Sequence, residues 1–398
     1  MMSSNAMKKL QGKRWDIYQC SLKCFNCQFI NPHLLVDQNH YVNCPAGKKF
    51  IFDSYYSGGR MEIARGLLDN SLKIPTPKLL EIIYSCTTCG SCQEICFYNR
   101  EIKPVEVFET LRELLVEMEI GPLPEHLPFI NSIKSKHNPY QEEHDTRLNW
   151  LGQKESPKDS KLLYFVGCTS SYRTQNIAKS TAKIFEKLNL DFTVSPEEWC
   201  CGSPLFRVGA VKLGEEMMRH NVEEIKKLGV EKVIFSCAGC YRTFKQDYPA
   251  HGVELGFEVQ HISEFLADLV KEGKISFKGL DLSVTYHDPC HLGRHLGVYS
   301  APRDVIQAIP KVKLVEMYRN RYNAWCCGAG GGVKSGFKDL ALETAGERIE
   351  EAKKTGTKIL ITACPFCELN LKESVKAKQE DLEILDLTEL LLKGGISC

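Results

Sequence analysis

The chain from Lys161 onward alternates short apolar runs with amphipathic stretches. Apolar runs of about four to eight residues are typical of buried strands. The runs are LLYFVG, KVIFSC, LSVTYHD, KILITAC and LEILDL. Between the first two runs lie Thr174–Leu190 and Ala210–Leu228, which are amphipathic and favour helices. The alternation predicts α/β layers with mainly parallel strands.

The first 125 residues show a different pattern, which predicts a mostly helical domain. Pro104 can occupy the first turn of a helix. The apolar residues after it recur at helical spacing: Val105, Phe108, Leu111, Leu115 and Met118. Residues 126–160 are polar and rich in turn-forming residues, so we interpret them as a linker.

The cysteines of the C-terminal part repeat one pattern twice. Each copy has a single cysteine, then Cys-Cys-Gly, then Cys-x2-Cys. The intervals are 31 and 35 residues in the first copy and 35 and 36 in the second. The cysteines are Cys168, Cys200, Cys201, Cys237 and Cys240, then Cys290, Cys326, Cys327, Cys364 and Cys367. The repeat predicts a duplicated module with one metal site per copy, over residues 161–278 and 279–398.

Composition and charge narrow the classes of function. The 398 residues include 51 Lys and Arg against 50 Asp and Glu, so nucleic acid is not expected as a partner. No apolar run approaches the roughly 18–20 residues that span a bilayer, and the N-terminus lacks the apolar core of a signal peptide. We therefore expect a cytoplasmic protein that meets a membrane only through a partner.

The 19 cysteines are far more than a chain of ordinary composition carries. Clustered cysteines in a large cytosolic chain more often bind metal than form disulfides. Cys86, Cys89, Cys92 and Cys96 form Cys-x2-Cys-x2-Cys-x3-Cys, the bacterial ferredoxin run for a [4Fe–4S] cluster. Soft thiolate ligands suit iron and sulfide.

A second, less regular set lies upstream: Cys20, Cys24, Cys27 and Cys44. In two-cluster ferredoxins the fourth cysteine of each run ligates the other cluster. This rule predicts one cluster on Cys20, Cys24, Cys27 and Cys96 and a second on Cys86, Cys89, Cys92 and Cys44. Phe97 stands where the run usually has proline. The alternative for the upstream set is a structural zinc site with four cysteine ligands.

Each duplicated module offers five cysteines, one more than a cubane cluster needs. Adjacent cysteines such as Cys200 and Cys201 do not easily bind one iron without strain, but they can bind neighbouring irons of a distorted cluster. Gly202 and Gly328 follow the cysteine pairs and allow positive φ and close approach of the backbone to a metal.

These motifs resemble those of the heterodisulfide reductase D-subunit family and its wider kin of Cys-Cys-Gly-domain proteins. The kin include iron–sulfur subunits of glycolate, lactate and anaerobic glycerol-3-phosphate dehydrogenases. The resemblance covers nearly the whole chain. It depends on SCTTCGSCQEIC, VGCTSSY, WCCGSPLFR, SCAGCYRTF, HDPCHLGR, CCGAGGGV and ACPFC.

The resemblance implies the fold and the cofactors. The fold would be α+β multidomain, with an N-terminal α-helical ferredoxin-like domain followed by two repeated α/β Cys-Cys-Gly modules. Each complete module would hold a noncubane [4Fe–4S] cluster on its five cysteines, and the two clusters would split a disulfide between them. With two cubane clusters in the N-terminal domain, the total is four. Only Cys398 stays outside the four sets.

Three further features have competing interpretations. The run from Gly328 to Gly332 could be a nucleotide loop, but glycine that wraps a cluster is the simpler interpretation. His291, near Cys290 like His287 and His295, could donate a proton, or could only pack at a helix start. Arg207 and Arg294 could bind a substrate anion or form ordinary salt bridges.

The predicted function is a redox subunit whose cubane clusters pass electrons to noncubane clusters that reduce a disulfide or oxidise a dithiol. The alternative is a non-catalytic electron-transfer subunit of a dehydrogenase or a larger reductase complex. A zinc-binding scaffold fits the five-cysteine modules poorly. Because the sequence shows no flavin site of its own, we expect a flavoprotein or cytochrome partner.

Overall fold

The computed structural model describes residues 4–20, 24, 26–30, 40–72, 76–96, 101–152 and 160–397. Phe97 and Cys398 lie outside the described residues. The described chain forms two compact units. The helical unit comprises residues 1–128, Pro204–Val211 and Arg319–Ala345; the α/β unit comprises Phe129–Ser203, Lys212–Tyr318 and Gly346–Cys398.

The α-helices are, in chain order, α1 (Asn5–Gly12), α2 (Arg14–Cys20), α3 (Pro45–Phe50), α4 (Ser57–Leu68), α5 (Pro77–Tyr84), α6 (Ser91–Glu94), α7 (Pro104–Glu117), α8 (Leu127–Lys136), α9 (Cys168–Tyr172), α10 (Gln175–Lys187), α11 (Ser203–Val208), α12 (Val211–Lys227), α13 (Ala238–Arg242), α14 (Tyr248–Ala250), α15 (Ile262–Lys271), α16 (Ser300–Gln307), α17 (Val333–Gly336), α18 (Lys338–Lys353), α19 (Pro365–Lys378) and α20 (Leu387–Lys393). In the described part of the chain, each helix is too short or too polar to cross a membrane.

The strands are β1 (Leu162–Phe165), β2 (Lys232–Phe235), β3 (Glu258–His261), β4 (Ser276–Phe277), β5 (Leu282–His287), β6 (Val312–Leu314), β7 (Ile359–Thr362), β8 (Glu383–Asp386) and β9 (Ile396–Ser397). One parallel sheet has the order β1-β2-β3, and a second has the order β6-β5-β7-β8. The two short strands β4 and β9 pair antiparallel.

The α/β pattern predicted from the apolar runs is confirmed. The five runs contain β1, β2, β5, β7 and β8, and the two amphipathic stretches contain α10 and α12. In β1, β2 and β7 the first residue is half-buried, and the next three residues, all from the apolar runs, are buried. Strands buried along their length are expected where helices cover a parallel sheet.

Helices make up the described N-terminal part. Helix α7 begins at Pro104, with Val105, Phe108, Leu111 and Leu115 buried, as the periodicity predicted. The core of the helical unit also includes a cluster of buried residues that are far apart in sequence. It consists of Ala46, Tyr55, Ile82, Val333, Leu340 and Ala341.

The stretch 126–152 of the predicted linker is mainly helical rather than extended. It contains α8 and a 3₁₀ helix over His144–Leu151. Arg147 and Trp150 of that 3₁₀ helix are buried. Several buried side chains of this part are polar and form hydrogen bonds, such as Ser132 Oγ to the Asn138 carbonyl at 2.7 Å. Its composition therefore resembles that of a linker.

Candidate metal centres

The first five-cysteine set lies at the carboxyl ends of parallel strands. Cys168 follows β1 and begins α9, and Cys237 follows β2 and precedes α13. Strands β1 and β2 are parallel neighbours with Phe165 opposite Phe235. Since parallel strands end at the same edge of a sheet, the topology brings Cys168 and Cys237 to one side of it.

The thiols of this set are buried and linked by sulfur hydrogen bonds. All five cysteines are buried. The contacts run from Cys168 to Cys200, Cys201, Cys240 and Cys237 in turn. Hydrogen bonds from Cys200 and Cys240 hold the pKa of the Cys201 thiol well below its ordinary value, although burial opposes them. Five thiols in one buried chain are a donor set that suits a soft metal cluster.

A buried ion pair supports this set. Glu198 pairs with Arg147, and both side chains are nearly inaccessible. Both terminal nitrogens of Arg147 lie 3.8 Å from the Cys168 sulfur. Attraction to Glu198 outweighs burial and raises the Arg147 pKa above its ordinary value. The guanidinium therefore stays charged beside the sulfur. Sequence reasoning missed Arg147 because it lies in the segment interpreted as a linker, and gave Glu198 no role.

The backbone around the cysteine pair is fixed by three hydrogen bonds. The Cys200 N–H donates to the His137 carbonyl at 2.8 Å. Asn221 donates to the Cys200 carbonyl at 3.1 Å, and the Tyr248 hydroxyl donates to the Cys201 carbonyl at 3.0 Å. Gly202 then adopts a φ of 81°, as predicted from its position after the pair.

The second five-cysteine set is divided between the two units. Cys290, Cys364 and Cys367 belong to the α/β unit, where Cys290 follows β5 and Cys364 follows β7. These strands are parallel neighbours, so this arrangement repeats that of the first set. Within the α/β unit, the Cys364 sulfur is in hydrogen-bonding contact with Cys237, so the two sets adjoin.

His287 is a further candidate in this region. It is buried at the end of β5, and its Nδ1 accepts a hydrogen bond from Arg348 Nε at 3.1 Å. A ring nitrogen of His287 lies within 4.8 Å of the Cys367 sulfur. Because Nδ1 accepts, the hydrogen-bond pattern assigns the proton to Nε2. Sequence reasoning noted His287 beside Cys290 but gave it no role.

Cys326 and Cys327 are buried in the helical unit. Gly328 has a φ of 88°, and its N–H donates to the Cys326 sulfur at 3.3 Å. The following glycines pack on the protein backbone: a Cβ at Gly331 would lie 2.5 Å from the Cys86 carbonyl oxygen. This close backbone contact argues against a nucleotide loop, and the interpretation that the glycines wrap a cluster stays a prediction.

Four N-terminal cysteines line one cavity of the helical unit: Cys44, Cys86, Cys89 and Cys92. These are the four cysteines that the exchange of fourth ligands assigned to one predicted cluster, with Cys44 as the fourth ligand. Burial raises the pKa of Cys44 to about 11, and Cys86 and Cys89 are its thiol neighbours.

The other N-terminal cysteines also gather. Burial raises the pKa of Cys20 above its ordinary value, and its thiol neighbours are Cys27, Cys96 and Cys24. Burial raises the pKa of Cys27 to about 12, and Cys44 acts on it as well. This arrangement supports the exchange of fourth ligands between the two sets, and the exchange stays a prediction. The two groups are neighbours at Cys27.

The surroundings of the Cys44 cavity fit an anionic group. Arg60 lines the cavity and is 1% exposed, and Arg112 is fully buried. Isolated buried charges are costly, so a cavity beside two guanidinium groups favours a negatively charged occupant. Four thiolates with an iron–sulfur cluster satisfy that requirement.

The remaining sequence candidates have definite neighbours. His291 Nε2 lies 3.5 Å from Arg242 Nη1, and His291 Nδ1 lies close to Gly239, between Cys237 and Cys240. Arg207 pairs with Glu109 at 3.2 Å, which supports the salt-bridge interpretation. Arg294 is buried.

Comparison with known proteins agrees with this geometry. The family model described as "Cysteine-rich domain" matches residues 162–245 and 284–372, so the predicted duplication is confirmed. The chain is 45% identical over 332 residues to the D subunit of dihydromethanophenazine:CoB--CoM heterodisulfide reductase from Methanosarcina mazei, and the match covers 81% of each chain. The corresponding protein of Methanosarcina acetivorans is 45% identical over 336 residues, with 82% of each chain covered.

The fold and its cysteines thus define a protein with two cysteine-rich domains. The identity to the Methanosarcina proteins is more specific: the chain belongs to the family of heterodisulfide reductase D subunits, as its motifs predicted. The B subunit of fumarate reductase (CoM/CoB) from Methanothermobacter marburgensis is a more distant relative, 35% identical over 312 residues, with 78% of this chain and 61% of that one covered.

A solved structure also resembles nearly the whole chain. It is that of a hypothetical protein from Helicobacter pylori, with a TM-score of 0.57 and 12% sequence identity. The match covers 96% of this chain and 72% of that one. At this identity the likeness shows the fold alone.

Proposed function

We propose that this protein is the iron–sulfur subunit of a heterodisulfide reductase-like enzyme. Its two N-terminal sets would hold cubane [4Fe–4S] clusters, and its two Cys-Cys-Gly modules would hold noncubane [4Fe–4S] clusters that reduce a disulfide or oxidise a dithiol. The observation that carries the proposal is the unbroken chain of buried thiols from Cys168 to Cys237, which continues to Cys364 of the second module.

The reaction needs two electrons and two protons, because one disulfide becomes two thiols. The two adjoining cysteine sets would hold two one-electron centres, which would supply the electrons one at a time. The contact between Cys237 and Cys364 supports this function, since it makes the two cysteine sets neighbours within the α/β unit. A single isolated set would support electron relay equally well.

The protein's own residues would control the surroundings of the reaction. Burial of the five thiols keeps bulk water from the first set. The Arg147–Glu198 pair presents N–H groups to Cys168 without adding net charge. His291 is the candidate proton donor, because it lies beside the segment from Cys237 to Cys240.

A partner must deliver the electrons. The Methanosarcina relatives are named as the D subunit of a reductase, which supports a multi-subunit assembly for this chain as well. We propose a flavoprotein or cytochrome as that partner. The protein would be cytoplasmic, with any attachment to a membrane made through the partner.

The deciding experiment is anaerobic EPR of the isolated protein with a heterodisulfide or a thiol. The proposal expects a substrate-dependent paramagnetic signal that Cys201→Ala and Cys327→Ala each abolish, since one module cannot complete the two-sulfur reaction alone. Cys398→Ala, outside the four sets, is the matched control and should retain the signal.

The electron-relay alternative expects a different outcome. The unsubstituted protein would then give no signal with thiols or disulfides, although its clusters could still be reduced. Activity would appear only with a partner dehydrogenase, and that result would replace the proposed function with the alternative.

A further inference from the structure

Two arginines are buried beside the cavity lined by Cys44, Cys86, Cys89 and Cys92, which we call the Cys86 group. Arg60 comes from α4 and Arg112 from α7. They are 1% and 0% exposed, and they are among the largest fully buried side chains. Arginine is almost never fully buried without a partner, so their surroundings need an explanation.

Arg60 makes its hydrogen bonds to neutral groups. Its Nε donates to the Ile82 carbonyl at 2.8 Å, and its Nη2 donates to the Ser85 hydroxyl at 3.1 Å. A further bond goes to the Tyr55 carbonyl. These bonds fix the guanidinium beside the cavity without neutralising its charge.

Arg112 makes the same kind of bonds. It donates to the Ile83 carbonyl at 2.8 Å and to the Cys86 carbonyl at 2.6 Å. Among the residues that the structure describes, no carboxylate lies within ion-pair distance of Arg60 or Arg112. Glu109, a carboxylate whose charge acts on Arg112, is already paired with Arg207.

The negative charge that faces these arginines is that of the cysteines. Among the groups that stabilise the Arg112 charge, Cys86 acts most strongly, although burial lowers the Arg112 pKa overall. The Arg60 guanidinium likewise opposes the burial that raises the Cys44 pKa. A buried charge is tolerated when an opposite charge balances it. The Cys86 group, when it holds its cluster, supplies that opposite charge.

The neighbouring Cys20, Cys24, Cys27 and Cys96, which we call the Cys20 group, have different surroundings. The charged residue that acts on Cys20 is Glu62, a carboxylate. Glu62 pairs with Arg65 at 2.8 Å, so its charge is largely neutralised. Among the strongest influences on the described Cys20 and Cys27 thiols there is no arginine, whereas Arg60 is among those on Cys44.

Fixed positive charge favours the more negative, reduced state of a nearby cluster, and the net charge and hydrogen bonds around a cluster set its reduction potential. We propose that Arg60 and Arg112 raise the reduction potential of the cluster on the Cys86 group above that of the cluster on the Cys20 group. This inference rests on the proposed function. One electron would leave the Cys20 group, oxidising its cluster, and reduce the cluster on the Cys86 group.

Two further bonds of Arg112 support this direction. The same guanidinium donates to the Arg207 carbonyl at 2.6 Å and to the Gly331 carbonyl at 2.8 Å. Arg207 follows the first Cys-Cys-Gly segment, and Gly331 follows the second. The guanidinium beside the Cys86 group thus also bonds to the two chain segments that follow the Cys-Cys-Gly motifs, the expected electron acceptors.

The test is an anaerobic redox titration followed by EPR on the full chain. The unsubstituted protein should reduce the Cys86 group before the Cys20 group. In Arg112→Gln and in Arg60→Gln, the reduced-to-oxidised ratio of the Cys86 group at a fixed potential should fall at least tenfold, which is about 59 mV for one electron. The signal of the Cys20 group, assigned by its loss in Cys24→Ala, should not shift.

Two variants separate charge from structure. Arg112→Lys keeps the charge and should stay within a factor of about three of the original ratio, because its ammonium also balances the cluster. Arg14→Gln removes an exposed charge of the same unit and should change neither group. Should Arg112→Gln fail to retain its clusters, Arg60→Gln decides the test.

Three results would overturn the inference: unchanged ratios in both glutamine variants, an equal loss in Arg112→Lys, or earlier reduction of the Cys20 group in the unsubstituted protein. Each of them leaves the proposed function standing, because clusters are present. Absence of iron–sulfur signals from the unsubstituted protein would instead contradict the proposed function itself.

Discussion

The two terminal nitrogens of Arg147 lie 3.8 Å from the sulfur of Cys168. Glu198 holds this guanidinium in place, and its carboxylate also accepts hydrogen bonds from the N–H groups of Val166 and Gly167 at 2.8 and 2.9 Å. The backbone before Cys168 is therefore fixed to the same ion pair that contacts its sulfur. The ion pair therefore fixes the position of the Cys168 side chain before a metal binds.

Removal of one partner of this pair should destabilise the protein strongly. In Arg147→Ala the buried Glu198 carboxylate loses its counter-charge, and such losses cost about 3–5 kcal/mol. The measurement is the urea midpoint of the anaerobic holoprotein. As a control, the double variant Arg147→Met/Glu198→Gln removes both charges but keeps an acceptor for the Val166 and Gly167 N–H groups, so it should recover much of the loss. An unchanged midpoint in Arg147→Ala would contradict the role given to the pair.

The metal content follows from the four cysteine sets. Anaerobically isolated protein should contain about 16 irons, from four [4Fe–4S] clusters. Iron and zinc can be measured on the same sample by elemental analysis. Stoichiometric zinc with little iron would support the zinc alternative instead.

The exchange of fourth ligands can be tested with single substitutions. Cys96→Ala should perturb the same EPR signal as Cys24→Ala, because Cys20 has Cys24, Cys27 and Cys96 as thiol neighbours. Cys89→Ala should perturb the other signal. Agreement between Cys96→Ala and Cys89→Ala would assign Cys96 to its own run and reject the exchange.

Gly331 should tolerate no side chain. Its φ is +64°, and a Cβ would meet the Cys86 carbonyl oxygen at 2.5 Å. Gly356 is the matched control, because its φ of +76° is similarly strained but nothing lies within 4 Å. Gly356→Ala should cost only the backbone strain, about 1–2 kcal/mol. Gly331→Ala should lose more stability and alter the EPR signal of the Cys86 group, and equal effects would contradict the close packing.

His126 should make stability depend on pH. Burial lowers its pKa to about 4, against an ordinary value of 6.5. The unfolded chain therefore binds this proton more readily than the folded protein, so stability is present above pH 6.5 and is lost as the pH falls towards 4. His126→Gln should show a smaller loss of urea midpoint between about pH 7.5 and 5.5. An identical loss in both proteins would exclude His126 as the cause.

Much of this molecule was predictable from local signals. Short apolar runs predicted the parallel strands because buried strands need continuous apolar sequence. The interval between cysteines predicted the duplication, and Gly202 and Gly328 have the positive φ that their places after cysteine pairs require. These features depend only on residues close together in the chain, or on a repeated spacing.

The sequence by itself determined the spacing of the cysteines, and with it the duplication and the strands that precede Cys168, Cys237, Cys290 and Cys364. Only the tertiary structure decided what surrounds the sets: that Arg147 and Glu198 meet beside Cys168, and that Arg60 and Arg112 are buried beside the Cys86 group without an ion-paired carboxylate among the described residues. Arginine on a helix looks like a solvated surface residue in sequence. Burial, which is a property of the packed chain, turns its charge into a determinant of the site.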